Sequence, residues 1–121
     1  MCSKVLVIDD EWAIAKALCT RLSQCGFDMT SAHDGPTGLM KAADICPDAI
    51  LLDLRMPDMD GFEVFRRLRN DETLRHIPVI FLSANVQDTV KQEARAMGAA
   101  DFFSKPYQHE EIAYAISLAV A

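Results

Sequence analysis

An α/β domain, with a parallel sheet covered by helices on both faces, is what this sequence predicts, and three observations carry the prediction. Apolar runs too short for helices are spaced along the chain, and segments with helical periodicity lie between them. The stronger runs are apolar at consecutive positions, so both faces of those strands must be covered. Strand then helix, five times over, is the order of a doubly wound sheet, whose binding crevice lies at the carboxyl ends of the strands.

The first strand is "KVLVI" (residues 4–8), followed at once by Asp9 and Asp10. In residues 11–25 the apolar positions Ile14, Leu18, Leu22 and Cys25 recur at steps of four and three, which predicts an amphipathic helix. Gly26 stands just past it, where a left-handed cap favours a residue without a side chain. "DMTSA" (28–32) is a weaker second strand and "AILLD" (49–53) the third. Asp60 precedes Gly61 and "FEVFRRLR", and so reads as the cap of the third helix. "PVIFLS" (78–83) is the fourth strand, followed by the stripe Val86, Val90, Ala94 and Met97 and then Gly98. "DFFS" (101–104) is the fifth strand, and Ile112, Ile116 and Val120 mark the last helix. Glu110 and Glu111 fall near its start, where negative charge suits the helix dipole.

At 121 residues, half hydrophobic and a quarter charged, the chain has the size and composition of one folded domain, expected to span 1–121. No apolar run approaches the roughly 20 residues of a membrane span, and the first residues do not follow the pattern of a signal peptide; a cytoplasmic protein without membrane contact is expected. The net charge of −6 opposes direct binding to nucleic-acid phosphates. Cys2, Cys19, Cys25 and Cys46 lack C-x-x-C spacing and read as reduced thiols. His33, His76 and His109 lack ligand spacing and read as surface residues.

The chemistry concentrates at strand ends. Asp9 and Asp10 close the first strand and Asp53 the third; if those strands are neighbours, three carboxylates share one shallow pocket. Like charges so close raise one another's pKa unless something positive sits among them. A hard divalent cation answers this need: Mg²⁺ takes oxygen ligands, commonly one or two carboxylates, and leaves room for a phosphate. Ser83 ends the fourth strand and Lys105 follows the fifth, adding a hydroxyl and an ammonium suited to phosphoryl oxygens. Pro106 makes the Lys105–Pro106 peptide a candidate for the cis form.

"VLVIDDE", "ILLDLRMPDMDGFEVFRRLR", "PVIFLSA" and "GAADFFSKP" together resemble the receiver domain of two-component response regulators, chemotaxis regulators among them, over essentially the whole chain. The resemblance implies a flavodoxin-like five-stranded parallel sheet in the order 2-1-3-4-5. It implies that Asp53 is the phosphoacceptor, attacking a phosphohistidine on a sensor histidine kinase or a histidine phosphotransfer protein. It further implies that Asp10 and Asp53 bind Mg²⁺ directly (with Mn²⁺ as an alternative), that Asp9 acts through a metal-bound water, and that the backbone carbonyl of Arg55 completes the metal site. Ser83 and Lys105 match the residues that hold the phosphoryl oxygens, and Ala84 a small residue that leaves the phosphate accessible. Such a protein catalyses only its own phosphorylation and dephosphorylation and is not an enzyme in the ordinary sense.

By the same resemblance, Ser83 and Phe102 form the switch: the aromatic ring turns inward as the hydroxyl moves, and helix four, strand five and helix five become the output face. The downstream partner is either another protein or an output domain outside this chain. Arg55 and Asn85 match positions that tune the acyl-phosphate lifetime. Trp12, Ile14, Ala15 and Pro106 are the residues assigned to docking of the phosphodonor. A haloacid-dehalogenase-type phosphatase would need a second acid two residues after its nucleophile, and Arg55 stands there instead. A receiver-like binding module that no longer accepts phosphate is opposed by the full set of Asp9, Asp10, Asp53, Ser83 and Lys105.

Overall fold

The structure, a computed structural model, describes residues 2–84 and 87–121. Its elements run β1 (Lys4–Ile8), α1 (Trp12–Gln24), β2 (Asp28–Ala32), α2 (Gly35–Ile45), β3 (Ala49–Asp53), α3 (Gly61–Asn70), β4 (Val79–Ser83), α4 (Asp88–Ala96), β5 (Asp101–Ser104) and α5 (His109–Val120). The strands form one parallel sheet in the order β2-β1-β3-β4-β5. This is the flavodoxin-like arrangement expected, and it makes β1 and β3 direct neighbours.

Alternation along each strand divides the core in two. Leu6, Ile8, Ile50, Leu52, Val79 and Phe81 face one side, where Ala42 of α2, Val64, Phe65 and Leu68 of α3 and Ala94 of α4 cover them. Val5, Val7, Leu51, Ile80 and Leu82 face the other, against Leu18 and Leu22 of α1 and Ile112 and Ile116 of α5. Burial of β1, β3 and β4 on both faces is why their sequences are runs rather than alternations.

Several local expectations hold, and some need correction. Gly26 and Gly98 have positive φ, 96° and 98°. The Asp60 carboxylate accepts from the Glu63 N–H at 2.9 Å and caps α3. β4 begins at Val79 rather than Pro78, because proline has no N–H to donate; its carbonyl still accepts from Ile50 N–H at 3.0 Å. In α1 the buried stripe is Ala15, Leu18 and Leu22; Ile14 is half-buried and Cys25 lies exposed beyond the helix. Asn85 and Val86, expected to tune the phosphate lifetime and to start the α4 stripe, lie outside the described residues.

Helix α2 approaches β1 unusually closely. A Cβ on Gly38 would sit 2.5 Å from Ile8 Cδ1 and 2.8 Å from Ile8 Cγ1, so a larger residue could enter only by displacing the Ile8 side chain. Its N-terminus is fixed by Asp34, which accepts from the Thr37 N–H at 2.7 Å, with Pro36 in the first turn. At the free edge of the sheet the Lys41 ammonium donates to the Ser31 carbonyl of β2 at 2.6 Å, covering an acceptor that another strand could pair with.

Candidate functional site

The carboxyl edge of the sheet collects the charges. Asp9 continues the β1 ladder through its N–H to the Ala32 carbonyl at 3.0 Å, which fixes its backbone and leaves its side chain fully buried. Asp53 ends β3 at 3 % exposure, and Asp10 is half-buried. One carboxylate oxygen from each of Asp9, Asp10 and Asp53 lies within 4.8 Å of the others.

Lys105 enters from the far side of the sheet. Its N–H donates to the Ser83 carbonyl at 2.7 Å, continuing the pairing of β4 with β5, and the Lys105–Pro106 peptide is cis. The ammonium lies 3.2 Å from Asp9 Oδ2, 3.4 Å from Glu11 Oε1 and 3.6 Å from Asp53 Oδ2. One cation therefore serves at least three anions, and the balance of the pocket is negative.

That imbalance shows in proton affinities. Burial, with the Asp9 charge adding to it, pushes the Asp53 carboxyl up from 3.8 to about 7 although Lys105 pulls the other way. Burial pulls the Lys105 ammonium down, but the Asp53 and Asp9 carboxylates more than offset it and hold the group above its ordinary value. The Tyr107 phenol is pushed up by burial and by the same anions. Oxygen donors at this spacing, under-neutralised by one lysine, are the set that a small, hard divalent cation takes; the residues present fit such an ion.

The loop after β3 is folded tightly against the acid. Gly61 N–H donates to the Leu54 carbonyl at 2.8 Å, and a Cβ at Gly61 would fall 2.6 Å from the Asp53 carbonyl oxygen and 2.8 Å from Leu54 Cα. Backbone cannot yield there as a flexible side chain could, so this position requires glycine. Arg55 has an exposed side chain, and its N–H faces Asp53 Oδ1 at 3.4 Å.

Ser83 is fully buried at the end of β4, opposite Ser104, and Ala84 beyond it is exposed. Phe102 is half-buried on β5, opposite Phe81 in register, with ring centroids 6.5 Å apart. Period-two alternation puts Phe102 on the same sheet face as Ser83, while Phe103 packs on the other.

The four residues assigned to docking separate. Trp12 is 70 % exposed at the start of α1, stacked on His33 at 3.4 Å between centroids. Ile14 and Pro106 line a groove of about 430 Å³ with Ala17, Lys105, Tyr107 and His109. Ala15 does not belong with them: it is fully buried against the sheet, because the helix turns the position after Ile14 inward. His33, expected on the surface, is half-buried, with Nδ1 3.2 Å from the Asp9 carbonyl oxygen.

Sequence reasoning passed over Glu11, Tyr107 and His33 as neighbours of the acids. The signal for the first two was local, a third acid after the aspartate pair and an aromatic after Lys105–Pro106; nothing local marks His33.

A family model described as the response regulator receiver domain matches residues 5–117. The chain belongs to that family. This receiver domain is 42 % identical over 106 residues to the response regulator PleD of Caulobacter vibrioides, covering 88 % of this chain and 23 % of PleD. It is 40 % identical over 109 residues to the DNA-binding dual master transcriptional regulator RpaA of Synechocystis, covering 90 % of this chain and 45 % of RpaA. The chain thus spans less than half the length of both relatives. Among solved structures, the chemotaxis protein CheY4 of Vibrio cholerae superimposes with a TM-score of 0.91 at 29 % identity, covering 98 % of this chain and 99 % of that one. The membership places the receiver domain in two-component phosphorelay signal transduction. Among the described residues no helix is long and apolar enough to cross a membrane.

Proposed function

We propose that residues 1–121 form one phosphoacceptor switch, in which Asp53 takes a phosphoryl group from the phosphohistidine of a sensor histidine kinase or a histidine phosphotransfer protein. The observation that carries this reading is the meeting of Asp53 with two further carboxylates and one ammonium at the carboxyl edge of the sheet.

A carboxylate oxygen of Asp53 forms a bond to phosphorus as the phosphorus–nitrogen bond to the donor imidazole breaks; the imidazole keeps the electron pair and is protonated from solvent. Asp53 must be ionised to attack, so its raised proton affinity is an obstacle that positive charge in the pocket removes. Asp10 and Asp53, with the Arg55 carbonyl, would hold Mg²⁺ directly and Asp9 through water; the ion would supply charge neutralisation at the acceptor and the incoming phosphoryl oxygens. Lys105 supplies one positive donor to those oxygens and Ser83 a hydroxyl. Drawing Ser83 toward the phosphoryl group frees space on the sheet face it shares with Phe102, and the change passes to the surface of α4, β5 and α5.

Trp12, Ile14 and Pro106 remain the docking surface for the donor. The output goes to a separate protein or to a domain outside residues 1–121; with a charge of −6, any DNA contact would be made by such a domain rather than here.

The test is mass spectrometry after incubation with acetyl phosphate and Mg²⁺. A labile adduct of about 80 Da, one phosphoryl group, should form on Asp53, fail to form when EDTA replaces Mg²⁺, and be absent from Asp53→Asn. An unmodified wild-type protein under these conditions overturns the proposal.

A further inference from the structure

We infer that Glu11 is a positioning residue for Lys105: its carboxylate occupies, in the resting protein, the direction that a phosphoryl oxygen takes after transfer. The inference rests on the reading of Asp53 as acceptor. A lysine ammonium has three N–H bonds, and the nearest atoms of three carboxylates lie at 3.2, 3.4 and 3.6 Å from Lys105 Nζ. Two of those N–H bonds donate, to Asp9 and Glu11, and Asp53 is met only as an ion pair at 3.6 Å, so the ammonium can donate to two phosphoryl oxygens only if Asp9 or Glu11 yields.

Burial decides which one. The Asp9 side chain is fully buried, so it cannot exchange the ammonium for water. Glu11 is 59 % exposed, and water replaces the lysine there with little loss. Glu11 is also free of the work its position normally does. It is the N-cap residue of α1, yet its side chain caps nothing; only its carbonyl, accepting from Ala15 N–H at 3.0 Å, serves the helix. Its own N–H donates to Asp9 Oδ1 at 2.9 Å, which holds the two acids in one turn and aims the Glu11 side chain across the pocket mouth.

Glu11 thus keeps Lys105 extended at the mouth of the pocket and ties the start of α1 to the segment after β5. The arrival of phosphoryl oxygens breaks that tie.

The experiment compares wild type with Glu11→Gln, which removes the charge, and Glu11→Asp, which keeps the charge but shortens the reach. In the resting protein, with no phosphoryl donor, NMR of ¹³C,¹⁵N-lysine should show the Lys105 side-chain signals displaced in both variants and those of Lys4, Lys16, Lys41 and Lys91 unmoved. With phosphoramidate and Mg²⁺, both variants should gain the phosphoryl adduct about two- to fivefold faster, the range expected for release of one exposed ion pair. Unmoved Lys105 signals overturn the inference, and so does an adduct that forms at the same rate in all three proteins. A Glu11→Asp rate equal to wild type beside a faster Glu11→Gln also overturns it, by assigning the effect to repulsion of the anionic donor. If wild type gains no adduct, the acceptor reading falls and the inference with it; equal rates of an adduct that does form remove the inference alone.

Discussion

Replacing Asp53 by asparagine should stabilise the metal-free protein at neutral and alkaline pH. The carboxyl is 3 % exposed and its proton affinity rises from 3.8 to about 7, a figure that already includes the opposing pull of Lys105. A carboxyl held more tightly protonated in the fold than in the unfolded chain lends its stability fully below 3.8 and loses it as pH climbs through about 7. At about 1.36 kcal/mol for each tenfold change in proton affinity, the ionised group costs the fold on the order of 4 kcal/mol at pH 8. Asparagine keeps the shape and never ionises. Urea unfolding in EDTA should therefore show Asp53→Asn more stable by about 2–4 kcal/mol at pH 8, with the gap closing below about 1 kcal/mol near pH 4.5. Saturating Mg²⁺ should return roughly 2.7 kcal/mol to wild type at a hundred times its dissociation constant, and less to the variant. Parallel stability curves for the two proteins from pH 4.5 to pH 8 would refute the reasoning, because they would mean that the pocket does not penalise the ionised acid.

Other substitutions probe the frame around the acid. Gly61→Ala puts a methyl 2.6 Å from the Asp53 carbonyl oxygen, and should slow phosphorylation from acetyl phosphate by about tenfold or more through displacement of the acceptor, while lowering stability. Gly38→Ala forces a methyl to 2.5 Å from Ile8 Cδ1 and should cost about 1–3 kcal/mol in urea unfolding; Ile8→Val, which removes that atom, should recover part of the loss in the double variant. Asp60→Ala removes the cap of α3 and should cost about 1 kcal/mol, with Asp60→Asn losing less.

Much of this architecture was readable in the chain because the strongest strands are buried on both faces. "KVLVI" and "AILLD" match β1 and β3 residue for residue, and with β1 beside β3 the convergence of Asp9, Asp10 and Asp53 follows. Patterns of large apolar residues were legible; contacts made by small ones were not. Helix α2 meets the sheet through Gly38 and Ala42, and Met59 and Val64 through Gly35, residues that carry almost no hydropathy signal. Ala15 shows the same limit: beside Ile14 its methyl reads as weak, yet the sheet takes the alanine and leaves the isoleucine at the rim. Side-chain pairings across long separations were also hidden. Lys105 and Glu11 are 94 residues apart, and nothing in the pattern of either segment names the other. Which of two adjacent aspartates is buried depends on the direction of the turn after Ile8, which hydropathy does not encode.

The strand order carries one more consequence. β3 is flanked by a partner on each side, whereas β5 has only β4 for company. To move Asp53 would tear two rows of backbone pairing; to move Phe102 would disturb a single row, at the margin of the sheet. Asp53 thus stands on an inner strand and Phe102 on an edge strand, so on the function proposed above a change at the centre could be felt at the periphery without loosening the backbone that carries the acid.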